Sequence, residues 1–276
     1  MVDPEVFPGV QTHFNGGTYA VLDAGAHVLN WTPPGESPVL WESPLARFEP
    51  GVAVRGGVPV IFPWFGAGPT GDRTPAHGFA RTATWTRESV VDDVQHSGRL
   101  DVAYRLDSDG FDSAPFTAHL RVGFAADRLR IELEVANPGP EAFSYEAALH
   151  TYFDISDIAS IAIDGLDGCT YQDKVAGTRE TQAGSVRITG QTDRIYDHTG
   201  TVTIEDPGRG RRIHVAKEGS ANTVVWNPGR DLAMAQRDIG GYYTEFVCVE
   251  AANVGESAVI LAPGGTHSIA QDIRLS

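Results

Sequence analysis

In LRVGFAADRLRIELEVANPG, residues 120–139, Leu129, Ile131, Leu133 and Val135 alternate with Arg128, Arg130, Glu132 and Glu134. Side chains of a strand point to opposite faces in turn, so this period of two marks a strand with one face in a core and one in water. The preceding residues 120–124 are spaced to pair with it as a hairpin. VRITGQTDRIY, TVTIEDPGRGRRIHVAKEG and YYTEFVCVEAANVG repeat the theme, with β-branched runs cut by Gly, Pro and Asp turns. No long amphipathic helical stretch competes with them. The 31 glycines and 17 prolines are spread over all 276 residues, without a Ser/Gly linker, a charge run or a fixed-period repeat. The pattern predicts an all-β chain, a single domain over residues 1–276 built as a large antiparallel sandwich of two packed sheets. A propeller would need a blade repeat, and none is present.

A formal net charge of −15 would repel phosphate backbones and anionic membrane surfaces, which argues against nucleic acid and membranes as partners. Any anionic ligand therefore needs a dedicated pocket. Lys174 and Lys217 are the only lysines among 21 basic residues, and arginine is the type that grips phosphate in a fixed bidentate geometry. For the bias as a whole, GC-rich codon usage is the better explanation. Cys169 and Cys248 make no disulfide framework, one bridge at most. The opening MVDPEVFPGVQTHF lacks the basic and apolar regions of a secretion signal, and no segment has the apolar length to span a bilayer, so the expected location is cytoplasmic.

Four stretches carry candidate chemistry. RGGVPVIFPWFG puts Arg55 on a glycine turn, and PAHGFAR sets His77 and Arg81 four apart in a stretch too rich in Gly and Pro for a helix. Two arginines in loops near tight glycine turns suit a small anionic site, although two surface arginines and a backbone-satisfied histidine would look the same. In YEAALHTYFDI, if it is a strand, His150 shares a face with Ala148 and Tyr152. In YYTEFVCVEAANVG, Glu250 shares a face with Phe246 and Cys248, while Val247, Val249 and Ala251 take the other. Both faces are apolar, so the strand should be central and its carboxylate costly unless paired or used; desolvation would raise its pKa and make it a better base. The alternative is a glutamate at the strand's end that reaches solvent over the rim. Asp193 in QTDRIYDHTG reads by itself as an ordinary turn aspartate. Metal-ligand spacings, the G-x-S-x-G elbow and phosphate-cradling Gly-rich loops are all absent from the sequence.

Taken together, these segments resemble the D-hexose-6-phosphate mutarotases (glucose-6-phosphate 1-epimerases), a branch of the aldose 1-epimerase, or galactose mutarotase-like, superfamily. The resemblance covers nearly the whole chain, from GGTYAVLDAGAHVLNWTPPGESPVLWES through RGGVPVIFPWFG, HGFART, LHTYFDI, GLDGCTYQDKV, TDRIY and TVVWNP to FVCVEAANV, in the family's order. It implies a galactose mutarotase-like β-supersandwich whose concave face binds one sugar phosphate, with no cofactor and no metal, acting as a monomer or weak dimer. It also implies roles: His150 as general acid, Glu250 as general base, Arg55 and Arg81 as phosphate ligands, and His77 and Asp193 as contacts to sugar hydroxyls. The implied enzyme is an isomerase that interconverts the α and β anomers of glucose 6-phosphate or a similar hexose 6-phosphate. Ordinary pKa values, about 6.5 for histidine and 4.3 for glutamate, suit a protonated acid and an ionised base. The alternatives are an aldose 1-epimerase acting on free sugars and a non-catalytic carbohydrate-binding protein on the same sandwich. One departure stands out: TVVWNP commonly continues into a second tryptophan, whereas here Gly229 and Arg230 follow, which removes an aromatic wall beside the sugar.

Overall fold

The computed structural model describes residues 7–276; the first six residues, where part of the secretion-signal expectation falls, lie outside it. Two eight-stranded antiparallel sheets dominate. The outer sheet runs, in spatial order, Ala162–Asp164, Val202–Asp206, Arg211–Glu218, Thr266–Leu275, Arg128–Ala136, Thr117–Phe124, Arg99–Asp107 and Thr86–Asp93. The inner sheet runs Thr178–Thr181, Thr170–Asp173, Thr192–Asp197, Asn222–Asn227, Phe246–Asn253, Ala147–Leu149 and Val60–Ile61, with Tyr152–Asp154 also paired to Phe246–Asn253. Smaller sheets of three and two strands flank them.

The alternation of residues 128–136 is borne out: Leu129, Ile131, Leu133 and Val135 are buried, and the strand pairs with Thr117–Phe124 as a hairpin. Those four side chains join Val247 and Val249 of the inner sheet in one core cluster, so the two sheets pack face to face. VRITGQTDRIY forms a strand only over Thr192–Asp197, its earlier half contributing an isolated bridge from Val186 to Ile163. Tyr242 and Tyr243 fall in a 3-10 turn, Gly240–Thr244, ahead of the strand they were expected to begin. Among the described residues the longest α-helix is Gly229–Ala235, and no helix is long and apolar enough to cross a membrane.

Phe246–Asn253 is buried along its whole length, as two apolar faces require of a central strand. Its odd-numbered valines enter the core between the sheets, while Phe246, Cys248 and Ala252 belong to apolar clusters on the opposite face of the inner sheet. Glu250 therefore points away from the main core, onto the face that the loops and the Gly229–Ala235 helix partly cover. A buried tie fixes the strand from behind: Gln271 of the outer sheet donates to Val249 O at 2.9 Å and accepts from the Thr151 hydroxyl. Leu149 fills the same core from the neighbouring strand and is fully buried. Leu149→Ala should cost about 2–5 kcal/mol through lost burial and the cavity it leaves. Urea denaturation measures this, and a loss under about 1 kcal/mol would mean the back of the inner sheet is not the packed core described.

Candidate active site

The six candidate residues gather at one face of the inner sheet, Glu250 and Asp193 from its strands and the others from turns and loops beside it. In the register that pairs Leu149 with Ala251 and Tyr152 with Cys248, His150 stands directly opposite Glu250. The strand expected through His150 breaks there: Thr151 N donates to Leu149 O at 3.0 Å, a three-residue turn, and His150 N donates to Pro59 O at 3.1 Å. The break leaves the register intact. His150 Nε2 lies 3.5 Å from Glu250 Oε1. His150 is 7 % exposed and Glu250 1 %, so the rim-glutamate alternative does not hold. Two cross-strand rows define the floor: Ile195, Val224, Glu250 and His150 in one, and Asp193, Trp226, Cys248 and Tyr152 in the next.

Arg55 reaches the site from the glycine turn that follows it. Gly56 and Gly57 have φ of 111° and 59°, and a Cβ on either would lie 2.4 Å from Trp41 O or 2.2 Å from Val28 O. Only glycine passes there. The Arg55 guanidinium donates to Asp238 through Nε and Nη2, at 3.1 and 3.4 Å, and through Nη1 to the Tyr152 hydroxyl at 2.8 Å. Arg81 sits on a single 3-10 turn, Ala80–Thr82, where PAHGFAR had no helix to offer; it donates to Ala76 O at 2.7 Å, and its Nε is buried without a protein partner. His77 carries a left-handed backbone, φ 67°, which few non-glycine residues adopt. Its amide donates to Gly66 O, and Gly66 N returns a bond to Nδ1 at 3.3 Å, which places the ring proton of neutral His77 on Nε2. The His77 and His150 rings meet edge to face, with centroids 5.9 Å apart. Asp193 lies within a strand rather than a turn and pairs with Lys174 Nζ at 3.1 Å.

Burial and neighbouring charges shift both members of the pair. Burial, then His77, Arg55 and Arg81, hold His150 well below the ordinary histidine range. Burial, reinforced by Asp193 and opposed by Lys174, pushes Glu250 well above the usual carboxylate range. Both shifts favour the uncharged form of each group. His77 is depressed to about 3 by burial and the cations Arg81, Lys174 and Arg55. Both Glu250 oxygens and His150 Nδ1 are buried without a protein hydrogen-bond partner. Such groups are costly unless something polar meets them.

Sequence reasoning missed three participants. Tyr152 stacks on the His150 ring at 4.8 Å and 9°, and its place on the same strand face was the available signal. Lys174 could be found only through its partner Asp193. Asp238 had no signal, since it lies 183 positions from the arginine it holds. Trp226 borders the site, its ring 5.9 Å from that of His150, while Trp64 donates to Pro75 O and packs on Phe79. Both cysteines are free. A concavity of about 780 Å³ lies elsewhere, on the outer sheet; Arg99, Arg121, Arg128 and Arg130 line it, and each is paired with a carboxylate.

The profile of the aldose 1-epimerase family matches residues 10–274. The chain is 38 % identical over 261 residues to an Escherichia coli K12 protein named "Putative glucose-6-phosphate 1-epimerase", covering 91 % of this chain and 85 % of that one. The crystal structure of a Salmonella typhimurium protein described as a "putative mutarotase" superposes with a TM-score of 0.89 at 30 % identity, covering 98 % of this chain and 90 % of the other. A galactose mutarotase-related enzyme from Lactobacillus acidophilus, 14 % identical, shares the fold with a TM-score of 0.76 over 97 % of both chains.

The missing tryptophan has a steric reason. Gly229 has φ 63°, and a Cβ there would lie 2.5 Å from Gln191 N. Gly229→Trp should therefore destabilise the fold by at least about 1–3 kcal/mol rather than restore an aromatic wall. Thermal melting tests this, and a variant as stable as the parent would show that the 190–191 loop yields freely.

Proposed function

The chain belongs to the aldose 1-epimerase family, enzymes that interconvert the α and β anomers of a sugar, and we propose on that premise that its substrate is glucose 6-phosphate or a similar hexose 6-phosphate. The observation that carries this reading is the sharing of one face by an acid–base pair 3.5 Å apart, His150 and Glu250, and two arginines, Arg55 and Arg81. Relatives that bear the glucose-6-phosphate 1-epimerase name support it. A phosphorylated sugar does not cross a bilayer unaided, so the reading also places the enzyme in the cytoplasm.

In this reading the Glu250 carboxylate takes the proton of the anomeric O1 hydroxyl while His150 delivers one to the ring oxygen O5. The C1–O5 bond breaks, the aldehyde forms at C1, and rotation about C1–C2 presents its other face. Closure runs the proton transfers backward and yields the opposite anomer. His77, whose Nε2 carries the ring proton, donates to a sugar hydroxyl, and Asp193 accepts from another. The guanidinium of Arg55 still has two N–H bonds free after Asp238 and Tyr152 take three, enough for a bidentate grip on phosphate with Arg81 beside it. Holding the far end of the ring orients C1 against the pair, so binding energy remote from the chemistry serves placement.

His150→Ala and Glu250→Gln should each slow equilibration of freshly dissolved α-glucose 6-phosphate by about 10²–10⁴-fold. NMR line exchange or a β-specific dehydrogenase couple follows it, and wild-type rates in either variant would remove the acid–base assignment. The rival reading, a free-sugar epimerase, differs in what the arginines do. Arg81→Met should cut the kcat/KM ratio of glucose 6-phosphate over glucose by about 10- to 100-fold, the worth of a charge-assisted hydrogen bond. An unchanged ratio would favour the free sugar.

A further inference from the structure

The phosphate clamp and the acid are parts of one contact chain. Asp238 holds Arg55, Arg55 Nη1 donates to the Tyr152 hydroxyl at 2.8 Å, and the Tyr152 ring lies flat on His150. Only one aromatic ring thus separates a guanidinium from the imidazole. The charged and titratable groups around His150 are Glu250 across the sheet, Tyr152 on its own segment, His77 from the HGFAR loop, and Arg55 and Arg81 from the two arginine turns. Behind them lie Asp238, paired with Arg55, and the Lys174–Asp193 pair, which acts on Glu250 and on His77. Arg55 and Lys174 thus each have a carboxylate partner, and Arg81, which among the described residues donates only to the Ala76 carbonyl, is the cation acting on His150 that lacks one. In the empty enzyme it opposes a positive imidazole.

Resting on the hexose-phosphate reading above, we propose that the substrate's own phosphate, by pairing with Arg55 and Arg81, drives the proton of the pair from Glu250 to His150 and thereby creates both the acid and the base. The Oε1–H bond of Glu250 breaks, an N–H bond forms at His150 Nε2 across 3.5 Å, and the pair's proton count does not change. Glu250 is then a carboxylate able to take the O1 proton, and His150 an imidazolium able to give one to O5. The phosphate thus acts on kcat as well as on KM, because it prepares the catalytic groups and does not only hold the sugar. Tyr152 is the positioning residue that keeps clamp and imidazole at fixed separation.

The test splits the substrate in two: D-xylose, which lacks C6 and its phosphate, supplies the ring, and inorganic phosphite supplies the dianion. Polarimetry on wild-type enzyme should show phosphite raising kcat/KM for xylose at least tenfold with saturation. NMR of labelled histidine should show the His150 pKa moving upward as phosphite binds. Arg81→Met should lose phosphite activation yet epimerise xylose severalfold faster than the unactivated wild type, since a cation opposing the imidazolium is gone. Arg81→Lys, which keeps the charge, should retain activation. If phosphite binds but neither activates xylose nor moves His150, while glucose 6-phosphate is turned over, the clamp is a handle only and the proposal falls. An Arg81→Met enzyme slower than wild type on xylose, with unmoved His150 titration, overturns it as well. Should wild type fail to accelerate glucose 6-phosphate at all, the hexose-phosphate reading itself fails and this inference with it. If Arg81→Met does not fold, the phosphite and NMR arms on wild type decide alone.

Discussion

A carboxylate in the middle of a strand that is apolar on both faces is the constraint around which this site is organised. Leaving Glu250 ionised there without a partner would cost several kcal/mol, and the protein supplies neither a hydrogen bond nor a full counter-charge to either oxygen. What it supplies is a histidine opposite it in the register of the next strand, at the turn between two strand segments and also buried, 3.5 Å away. Every other feature of the face follows from keeping that pair in place: the turn at residue 150 that frees the imidazole from the ladder, the stacked Tyr152, and the tie from Gln271 behind the strand.

The second organising fact is a pair of arginines fixed at the site inside an acidic protein. A net charge of −15 disfavours anions at long range, and that penalty falls away within roughly a Debye length, about 8–10 Å, of a specific pocket. Arg55 and Arg81 approach the pocket on turns with little backbone freedom, and Arg55 is further fixed by Asp238 and Tyr152. A guanidinium held this way loses little entropy when it meets a ligand. The same rigidity prevents the arginines from swinging away from His150 when no ligand is present. Arg55 already has the counter-charge of Asp238, so the cation whose effect on the imidazole a ligand would offset is Arg81.

Much of the architecture was legible because alternation is a local property. Leu129 to Val135 and Val247 to Ala251 each declare two faces within a few residues, and burial follows both patterns. Glu250 was legible for the same reason, as a charge where the pattern demanded an apolar group. The pairing of His150 with Glu250 was not, since register between strands a hundred positions apart depends on the whole sheet; it came from resemblance, as did the roles of Arg55, Arg81, His77 and Asp193. Asp238 escaped both routes, for nothing local separates a functional aspartate from a turn aspartate. The pKa shifts escaped too. Ordinary pKa values belong to solvated groups, and His150 and Glu250 are both buried, with charged groups nearby.

This last failure bears on how such an enzyme distinguishes its substrate. If the acid and base were fixed at their ordinary pKa values, a phosphate clamp could only tighten binding, and discrimination between hexose and hexose phosphate would appear chiefly in KM. If burial makes the ionised pair the minor state of the empty site, a ligand that stabilises it gains rate in proportion to the population it recruits. On that mechanism a free sugar would bring the hydroxyl and ring oxygen but no charge to offset Arg81. Specificity would then reside in the proton's position between His150 and Glu250 rather than in the shape of the pocket. A face lacking a second aromatic wall at Gly229 could then still discriminate, through a contact at the far end of the sugar whose charge reaches the catalytic pair by way of Arg55 and Tyr152.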